Sequence, residues 1–426
     1  MKDFNVLKIK TETGERCCII KNHKTGIPEY YENIYLSLLS HKGRSFNTIL
    51  RVAYILVLFK RFLLENRIFL KDRLENKSFL NYTELYSLSS FLRKKGREKK
   101  ILHMDNPKKM NDENVHYRLS IISDFIIWQY SAFYSNNLIE SSELTTVFNN
   151  FVRKHKPKLG SNNYIGKNEN FKSLEEEQTN ELFELLRIDN KLNPFSKNNR
   201  KRNLLMVYIL NETGMRGGEL LNLRIDDFIK EKQYLKITKR KDEVNEPRVL
   251  QPFVKTLERD IPISRVLVEM ISNYIEDRRW YKRSKEHNYL FITQKCGPSE
   301  GLPLSISGYH KIMSTIQNSS HLNHSFRNFT GHSLRHTWNH RYNEKFQGVT
   351  SMFKITELEQ IRCVRMGWKL NSKSVLTYNK RYIYNKATEA IDEVDLTKKI
   401  DTKKSEVSDG RNIEEYRKLL GIRSKR

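Results

Sequence analysis

Apolar residues recur at three- and four-residue spacing along most of the chain, which is the pattern of helices that bury one face. One predicted helix, 203–212, is apolar on almost every side, so we expect it at the centre of a core. Another begins near Leu174, where three consecutive glutamates favour a helix N-terminus. The remaining helices are predicted at 46–64, 83–92, 114–134, 266–282, 305–316 and 355–366.

Alternating apolar and polar residues, the pattern of half-buried strands, are much rarer. They predict a hairpin of 234–239 with 253–263, a strand at 289–292, and a small strand or arm near the N-terminus. The predicted fold class is therefore mainly α with a small antiparallel β-sheet.

The helical periodicity fades between about 149 and 173, where basic and small polar residues predict an extended linker. This break divides the chain into two domains. The predicted parts are an N-terminal arm (1–40), a helical domain with a basic loop (41–148), the basic linker (149–173), a second domain (174–392) and a C-terminal tail (393–426). An amphipathic stripe near its end makes the tail a candidate for contact with a neighbouring protomer.

Lys and Arg number 77 against 50 Asp and Glu, which gives a formal charge of +27 spread along the whole sequence. Such an excess predicts a polyanionic partner, above all nucleic acid. A membrane is not an expected partner, because the longest apolar run, 52–59, is too short to span a bilayer and the N-terminus lacks the apolar stretch of a signal peptide. Four cysteines, two of them adjacent, form neither a disulfide framework nor a zinc pattern, so we expect a soluble protein of a reducing compartment.

The clearest candidate chemistry lies at the start of a predicted helix that includes 330–338. His332 and Arg335 stand three residues apart, so one helical face can present both to a single anionic group. Arg216 closely follows Gly214, which breaks the preceding helix and directs the arginine out of a turn. Alone, each of these features is also typical of an ordinary solvated helix or a surface arginine.

Three further residues complete an ordered set. Lys255 lies on the predicted hairpin, and Trp368 follows Gly367 after the helix 355–366. Tyr378 lies ten residues beyond the tryptophan. In chain order the set is an arginine in a glycine-flanked turn, a hairpin lysine, His-x-x-Arg, Gly-Trp and a tyrosine.

The order and local context of these residues, over residues 174–390, resemble the tyrosine recombinase (phage integrase) family. The helical domain upstream looks like that family's core-binding domain, and the second domain looks like its mixed α/β catalytic domain. The resemblance implies a site-specific DNA recombinase or integrase of a mobile genetic element. Such an enzyme cleaves and rejoins DNA strands through a 3′-phosphotyrosyl intermediate, without metal, ATP or any other cofactor.

The resemblance also implies a role for each residue of the set. Tyr378 is the expected nucleophile, and Lys255 is the expected general acid for the leaving 5′-oxygen. The groups expected to contact the scissile phosphate are Arg216, His332, Arg335 and Trp368, and His332 is alternatively expected to shuttle the proton of the nucleophile. Independently of the family, arginine forks match phosphate bidentately and stay charged at any working pH.

Double-stranded DNA with specific recombination sites is the partner that this interpretation implies. The protein is expected to act as a homo-oligomer, a tetramer when two sites are paired in synapsis, and accessory DNA-bending factors are further candidate partners. The expected location is the cytoplasm of a bacterial or archaeal cell, in association with the nucleoid.

Several assignments stay open at the level of sequence. Lys239 and Lys241 flank the same hairpin as the lysine named above, and Tyr382 is a second candidate nucleophile. Glu219 either supports the nearby arginine or caps its helix. The interval from Arg335 to Trp368 is longer than is usual in the family that the sequence resembles, which predicts an insertion around 346–355.

Three other functions compete with this interpretation. His332, His336 and His340 share one helical face and could hold a metal, as in a metal-dependent nuclease, although no carboxylate or cysteine joins them at ligand spacing. A DNA-binding protein that keeps the fold but has lost catalysis is a second alternative. A type IB topoisomerase shares the chemistry, but the recombinase-like helical domain disfavours it.

Overall fold

The computed structural model describes residues 3–76, 78, 80–94, 112–133, 146–147, 149–154, 171–240, 243–319, 321–322, 326, 328–346, 352–370, 372, 374–379, 381–383 and 385. The chain forms two compact units, each described by itself below. Unit 1 comprises Met1–Lys167, Lys239–Val254 and Arg278–Tyr309, and unit 2 comprises Asn168–Thr238, Lys255–Asp277 and His310–Arg426. The predicted basic loop beyond residue 94, most of the predicted linker, 347–351 of the predicted insertion, and the C-terminal tail lie outside the described residues. The prediction of an extended linker is wrong at 149–154, which are helical and bury Phe151 and Val152 in the unit 1 core.

Unit 1 begins with an antiparallel hairpin of β1 (Phe4–Lys10) and β2 (Arg16–Asn22). The sequence predicted only a small strand or arm here. Phe4 of the first strand and Ile20 of the second are buried among the helical residues of the unit 1 core. The hairpin is therefore part of that core.

The helices of unit 1 pack around one central helix. Their bounds are α1 (Tyr30–His41), α2 (Phe46–Glu65), α3 (Leu70–Glu75), α4 (Tyr82–Arg93) and α5 (Asp112–Phe133). The central helix is α2, which contacts the hairpin, α1, α4 and α5, and its Leu56 and Phe59 are fully buried. A capping box of Asn81 with Glu84 begins α4. The predictions of α2, α4 and α5 are confirmed.

The predicted strand at 289–292 is wrong. Tyr289 and Ile292 each form an isolated bridge, that of Ile292 with Pro303, and the stretch forms no continuous strand. Tyr289, Leu290 and Phe291 are nevertheless buried. An apolar run in this stretch therefore reflects a buried loop, which periodicity does not distinguish from a short strand.

Unit 2 is built around a helix that is buried on nearly every side. The helices here and at the boundaries of the unit are α6 (Glu176–Leu186), α7 (Lys197–Thr213), α8 (Gly217–Asn222), α9 (Arg265–Arg278), α10 (Ile306–Gln317), α11 (Gly331–Lys345) and α12 (Met352–Met366). The central helix is α7, which packs against α6, α8 and α11. Its expected place at the centre of a core is confirmed.

A small antiparallel sheet accompanies these helices. Its strands are, in order, β3 (Phe228–Ile229), β4 (Tyr234–Ile237) and β5 (Arg259–Pro262). The predicted second strand of the hairpin is wrong before residue 259, where the chain forms a loop. The Leu257 N–H donates to Gly367 O, so it is not available to a strand partner, and the Thr256 hydroxyl donates to Glu219.

Helices dominate the described residues, and the sheets are small and antiparallel, which confirms the predicted fold class. Two short 3-10 helices are also present, Ile225–Asp227 and Lys282–Glu286. Over the described ranges, no helix combines the length and the apolar composition that crossing a membrane requires.

We predict that Leu56→Ala destabilises the protein, because Leu56 is fully buried at the centre of unit 1. Removal of a buried leucine side chain lowers the free energy of unfolding by about 2–5 kcal/mol. Leu64→Ala, on the same helix but 53% exposed, is the matched control. Urea unfolding followed by circular dichroism measures both, and equal losses in the two variants would contradict the prediction.

Candidate active site

The start of α11 holds two of the predicted site residues. Thr330 precedes the helix, and its N–H donates to Ser333 Oγ at 3.1 Å, which fixes the first turn. His332 lies in that turn and Arg335 lies one turn later. Both side chains reach one hydroxyl, that of Tyr378: Arg335 Nε donates to it at 3.2 Å, and His332 Nε2 lies 3.1 Å from it. The pair therefore converges on a single polar group.

Tyr378 lies in a helical segment, 374–379, and is 7% exposed. The Trp368 ring stacks on its ring with centroids 5.1 Å apart and an interplanar angle of 27°. The His336 ring lies on it as well, with centroids 4.5 Å apart. Tyr382 is one helical turn further along, and no contact seen in the described residues joins its hydroxyl to the arginine or the histidines. The geometry therefore favours Tyr378 as the reactive tyrosine.

The guanidinium of Arg335 is completely buried. Its Nη1 donates to Gly214 O at 2.8 Å, and its Nη2 donates to Met366 O at 3.0 Å. These carbonyls lie at the C-terminal ends of α7 and α12, where the partial negative charge of a helix accumulates. Within the described residues, each terminal nitrogen keeps one N–H beyond these bonds.

The turn between α7 and α8 positions Arg216. Gly214 has the left-handed φ of +64°, and a Cβ there would lie 2.9 Å from Trp338 Cγ, so only glycine fits. Arg216 then begins α8, and its backbone N–H donates to Glu219 Oε2 at 3.2 Å. Its Nη1 lies 3.7 Å from Glu219 Oε1, and its side chain is 29% exposed. Of the two arginines Arg216 and Arg335, Arg216 is therefore the one that solvent reaches.

Glu219 links this turn to the loop before β5. Its fully buried carboxylate accepts hydrogen bonds from Thr256 Oγ1 at 2.8 Å and from Arg259 Nη2 at 2.7 Å. Burial alone would raise the pKa of this carboxyl, but Arg259 and Arg335 hold the pKa below its ordinary value. Glu219 thus lies beside the Arg216 guanidinium and also caps α8, which are the two functions that the sequence left open. Sequence reasoning missed Thr256 and Arg259, although both lie within four residues of the predicted lysine.

Lys255 precedes Thr256 in that loop, and its side chain is exposed to solvent. Leu257, two residues after Lys255, donates its N–H to Gly367 O at 2.9 Å. This bond ties the loop to the chain just before Trp368. Lys239 belongs to unit 1, and Lys241 lies outside the described residues. Of the candidate lysines, Lys255 is the one in the same unit as the other site residues.

Gly367 turns the chain from α12 toward Trp368. It has a φ of +65°, and a Cβ would lie 2.6 Å from Arg259 Nη1 and 2.8 Å from Thr256 Cβ. The Trp368 ring is buried, as a core aromatic would be, and stands 5.2 Å from the Arg335 guanidinium. Its buried indole N–H meets no hydrogen-bond acceptor in the part of the chain that is described. A buried donor of this kind is open to an incoming oxygen.

The electrostatic surroundings keep the histidines neutral. Burial, together with Arg335 and Arg216, lowers the pKa of His332 to about 4. Burial, together with His332 and Lys172, lowers the pKa of His336 to about 3. Burial and Arg216 lower the pKa of Arg335 to about 10, which leaves it charged at neutral pH. The site therefore presents cationic guanidinium groups beside neutral imidazoles.

Two of the three histidines considered as a metal site, His332 and His340, have polar contacts of their own. His332 Nε2 faces the tyrosine hydroxyl, and His340 Nε2 lies 3.2 Å from Glu344 Oε1. Among the described residues, no three His, Cys, Asp or Glu side chains are arranged to hold a metal ion.

Residues 172–365 match the phage integrase family. The match ends before Trp368 and Tyr378, so their assignment depends on the geometry given above. Transposase A from transposon Tn554 of Staphylococcus aureus is 31% identical over 138 residues, which are 32% of this chain and 35% of that protein. Tyrosine recombinase XerD of Halalkalibacterium halodurans is 27% identical over 143 residues, which are 32% of this chain and 39% of that protein. The chain thus covers little more than a third of the length of these relatives.

Solved structures give weaker overall likenesses. The Tn1549 transposon integrase in complex with transposon right-end DNA is 15% identical, with 83% of this chain and 94% of that chain covered and a TM-score of 0.49. A lambda integrase dimer bound to a core site is 12% identical, with 82% and 75% covered and a TM-score of 0.46.

We predict that stability falls as the pH drops from about 6.5, the ordinary histidine value, toward 4. The folded protein holds the pKa of His332 near 4 and that of His336 near 3, so the unfolded chain binds more protons over this range and is favoured. Urea unfolding at several pH values measures the loss. It should be smaller in His336→Gln, whereas His321→Gln, at an exposed position, should behave as the wild type. An unchanged pH dependence in His336→Gln would contradict the prediction.

Proposed function

We propose that this protein, whose residues 172–365 match the phage integrase family, is a site-specific DNA recombinase that cleaves and rejoins strands through Tyr378. The observation that carries the proposal is the tyrosine hydroxyl held between Arg335 Nε, at 3.2 Å, and His332 Nε2, at 3.1 Å. A nucleophile within reach of a base and a fixed cation is the arrangement that covalent catalysis needs. Relatives named a transposase and a tyrosine recombinase support the same class of reaction.

His332 is the proposed proton acceptor. Its pKa of about 4 leaves the imidazole neutral at physiological pH, so an unprotonated Nε2 can take the hydroxyl proton of Tyr378 as the oxygen attacks phosphorus. The stacked rings of Trp368 and His336 limit the directions in which the tyrosine can turn. The attack is thereby confined to one geometry.

The two arginines are the proposed phosphate ligands. Arg216 is partly exposed and can meet an incoming phosphate oxygen directly. Arg335 is fully buried, so a phosphate oxygen reaches the remaining N–H groups of its Nη1 and Nη2 only when neighbouring groups move aside. The free indole N–H of Trp368 is a further donor. Donors fixed before the reaction stabilise the charge that gathers on the non-bridging oxygens.

The chemical step is a balanced exchange of bonds at phosphorus. The tyrosine oxygen forms a bond to phosphorus, the bond to the 5′-oxygen breaks, and Lys255 is the proposed donor of the proton that this oxygen takes up. The 3′-phosphotyrosyl link keeps the energy of the broken phosphodiester. A 5′-hydroxyl from another strand then reverses the step and reseals the DNA without ATP, metal or other cofactor.

The proposal extends to partners and domains. Double-stranded DNA with specific sites is the substrate, the net charge of +27 supports a polyanionic partner, and a homotetramer on paired sites is the proposed assembly. Residues 41–148 are the proposed core-binding domain and 174–392 the proposed catalytic domain, joined by the linker 149–173. The proposed setting is a mobile element in the cytoplasm of a prokaryotic cell, at the nucleoid, with accessory DNA-bending factors as further partners.

We predict a covalent protein–DNA adduct that depends on Tyr378. The protein binds duplexes first selected for affinity from a random pool, and a nick in the bound site lets the cleaved end diffuse away. A denaturing gel then resolves the adduct, which should form in excess chelator. Tyr378→Phe should bind the same DNA and form no adduct, because phenylalanine lacks the attacking oxygen.

Tyr382→Phe is the matched control and should form the adduct as the wild type does. Loss of the adduct only in Tyr382→Phe would move the nucleophile to that residue. Tight binding without any adduct, from the wild type and both variants, would favour the alternative of a catalytically silent DNA-binding protein.

We predict that Lys255→Ala slows cleavage by about 100-fold, as removal of a general acid does. A site whose 5′-bridging oxygen is replaced by sulfur should restore the rate, since a thiol with a pKa of about 8.5 leaves without a proton. Single-turnover adduct formation on the two substrates gives the comparison. Lys239→Ala is the control, and recovery by sulfur in that variant alone would move the role to Lys239.

A further inference from the structure

A second arginine of unit 2 is completely buried, and nothing in the proposed chemistry uses it. Arg362 lies on α12, and its side chain is inaccessible to solvent. Its guanidinium forms an ion pair with Glu359, one turn earlier on the same helix, at a carboxylate that is one-third exposed. Glu359 accepts from Nε and Nη2 of the guanidinium, which leaves the two N–H groups of Nη1 for other acceptors.

Those N–H groups connect α12 to two other elements. Arg362 Nη1 donates to Asn343 Oδ1 of α11 at 2.6 Å and to Asn379 Oδ1 at 2.7 Å. Asn343 Nδ2 also donates to Asn379 Oδ1, at 3.0 Å. The amide oxygen of Asn379 therefore accepts one hydrogen bond from the buried Arg362 and one from the half-buried Asn343.

Asn379 directly follows Tyr378. Because adjacent residues share a rigid peptide plane, fixing the side chain of one limits where the backbone of the other can move. The tyrosine hydroxyl must stay within hydrogen-bond reach of Arg335 and His332, and a displacement of about 1 Å is enough to lower a reaction rate substantially. The contacts of Arg362 act on the segment where such a displacement would arise.

Stability alone is a poor explanation for a buried guanidinium. Desolvating an ion costs several kcal/mol, and replacing a buried ion pair by apolar residues is often neutral or stabilising. Tyr342 already ties α11 to α12 through a hydrogen bond of 2.8 Å to Leu358 O. The distinctive contribution of Arg362 is its third attachment, to the segment that carries the tyrosine.

We propose that Arg362 is a positioning residue for the nucleophile: with Asn343 it holds Asn379, and through Asn379 it keeps Tyr378 at Arg335 and His332. Arg362 touches no substrate, since it is sealed from solvent. The proposal rests on the proposed function insofar as Tyr378 is the attacking group, but the positioning itself is open to a test without DNA.

The first measurement is the rate at which tetranitromethane nitrates individual tyrosines, read by peptide mass spectrometry. Tyr378 is buried in the wild type and should react slowly. In Arg362→Met its rate should approach that of the exposed Tyr86, whereas Tyr274, which is 2% exposed in α9, should stay protected. Protection of Tyr274 shows that the fold is retained, so the release is local.

Asn379→Leu should have the same effect, because it removes the acceptor and leaves the Arg362–Glu359 pair intact. Lys354→Met replaces an exposed cation on the same helix and should leave the nitration of Tyr378 unchanged. If Arg362→Met fails to fold, Asn379→Leu decides the matter alone. Continued protection of Tyr378 in Asn379→Leu would overturn the proposal.

The second measurement separates binding from cleavage. Arg362→Met should lower the single-turnover rate of adduct formation at saturating protein by about 100-fold, while the protein concentration for half-saturation of the DNA stays the same. Arg362→Lys should recover part of the rate, since an ammonium can still donate to Asn379. The double variant with Asn379→Leu should be no slower than either single variant, because both break one chain of contacts.

The outcomes separate the two proposals. A wild type that binds DNA and forms no adduct would overturn the recombinase function, and the nitration result would still decide whether Arg362 holds the tyrosine segment. A normal adduct rate in Arg362→Met beside an active wild type would overturn the positioning role alone.

Discussion

The complete burial of the Arg335 guanidinium is the constraint on which the site depends. A buried cation must have its hydrogen bonds satisfied, and here the ends of two helices and a tyrosine supply them. The backbone carbonyls that accept from it belong to Gly214 and Met366, so the ends of α7 and α12 are fixed against α11. Gly214 and Gly367, both with left-handed backbone, allow the chain to turn at these ends without a side chain in the way. Because these acceptors are uncharged, no carboxylate among the described residues is hydrogen-bonded to the arginine, and its positive charge is not neutralised by such a bond.

Local sequence spacing was enough to predict the centre of this arrangement. His332 and Arg335 share a helical face because of their separation alone, and the break at Gly214 before Arg216 is equally local. The long helices were predicted for the same reason, since their periodicity repeats over several turns. The tyrosine could be placed in the set only by its order after Gly367 and Trp368, and its contacts with Arg335 and His332 are what the structure adds.

The groups that support the site escaped sequence reasoning because they join residues far apart in the chain. Glu219 meets Thr256 and Arg259 about forty residues later, and no periodicity marks such a contact. The loop before β5 was predicted as a strand because its apolar and polar residues alternate. Contacts with residues far away in the chain, Glu219 and Gly367, hold it as a loop instead. Helix α1 was missed because its buried face includes the charged Glu32, which pairs with Lys60 in the fold.

The covering of Arg335 has a thermodynamic consequence for any ligand of this site. Since solvent does not reach the guanidinium, an anionic ligand does not reach it either until the groups that cover it move. Uncovering the guanidinium costs free energy, and this cost lowers the apparent affinity of the site for a ligand. A ligand that also contacts other parts of the protein gains enough binding free energy to offset this cost. An isolated phosphate ion does not, so it is expected to bind more weakly.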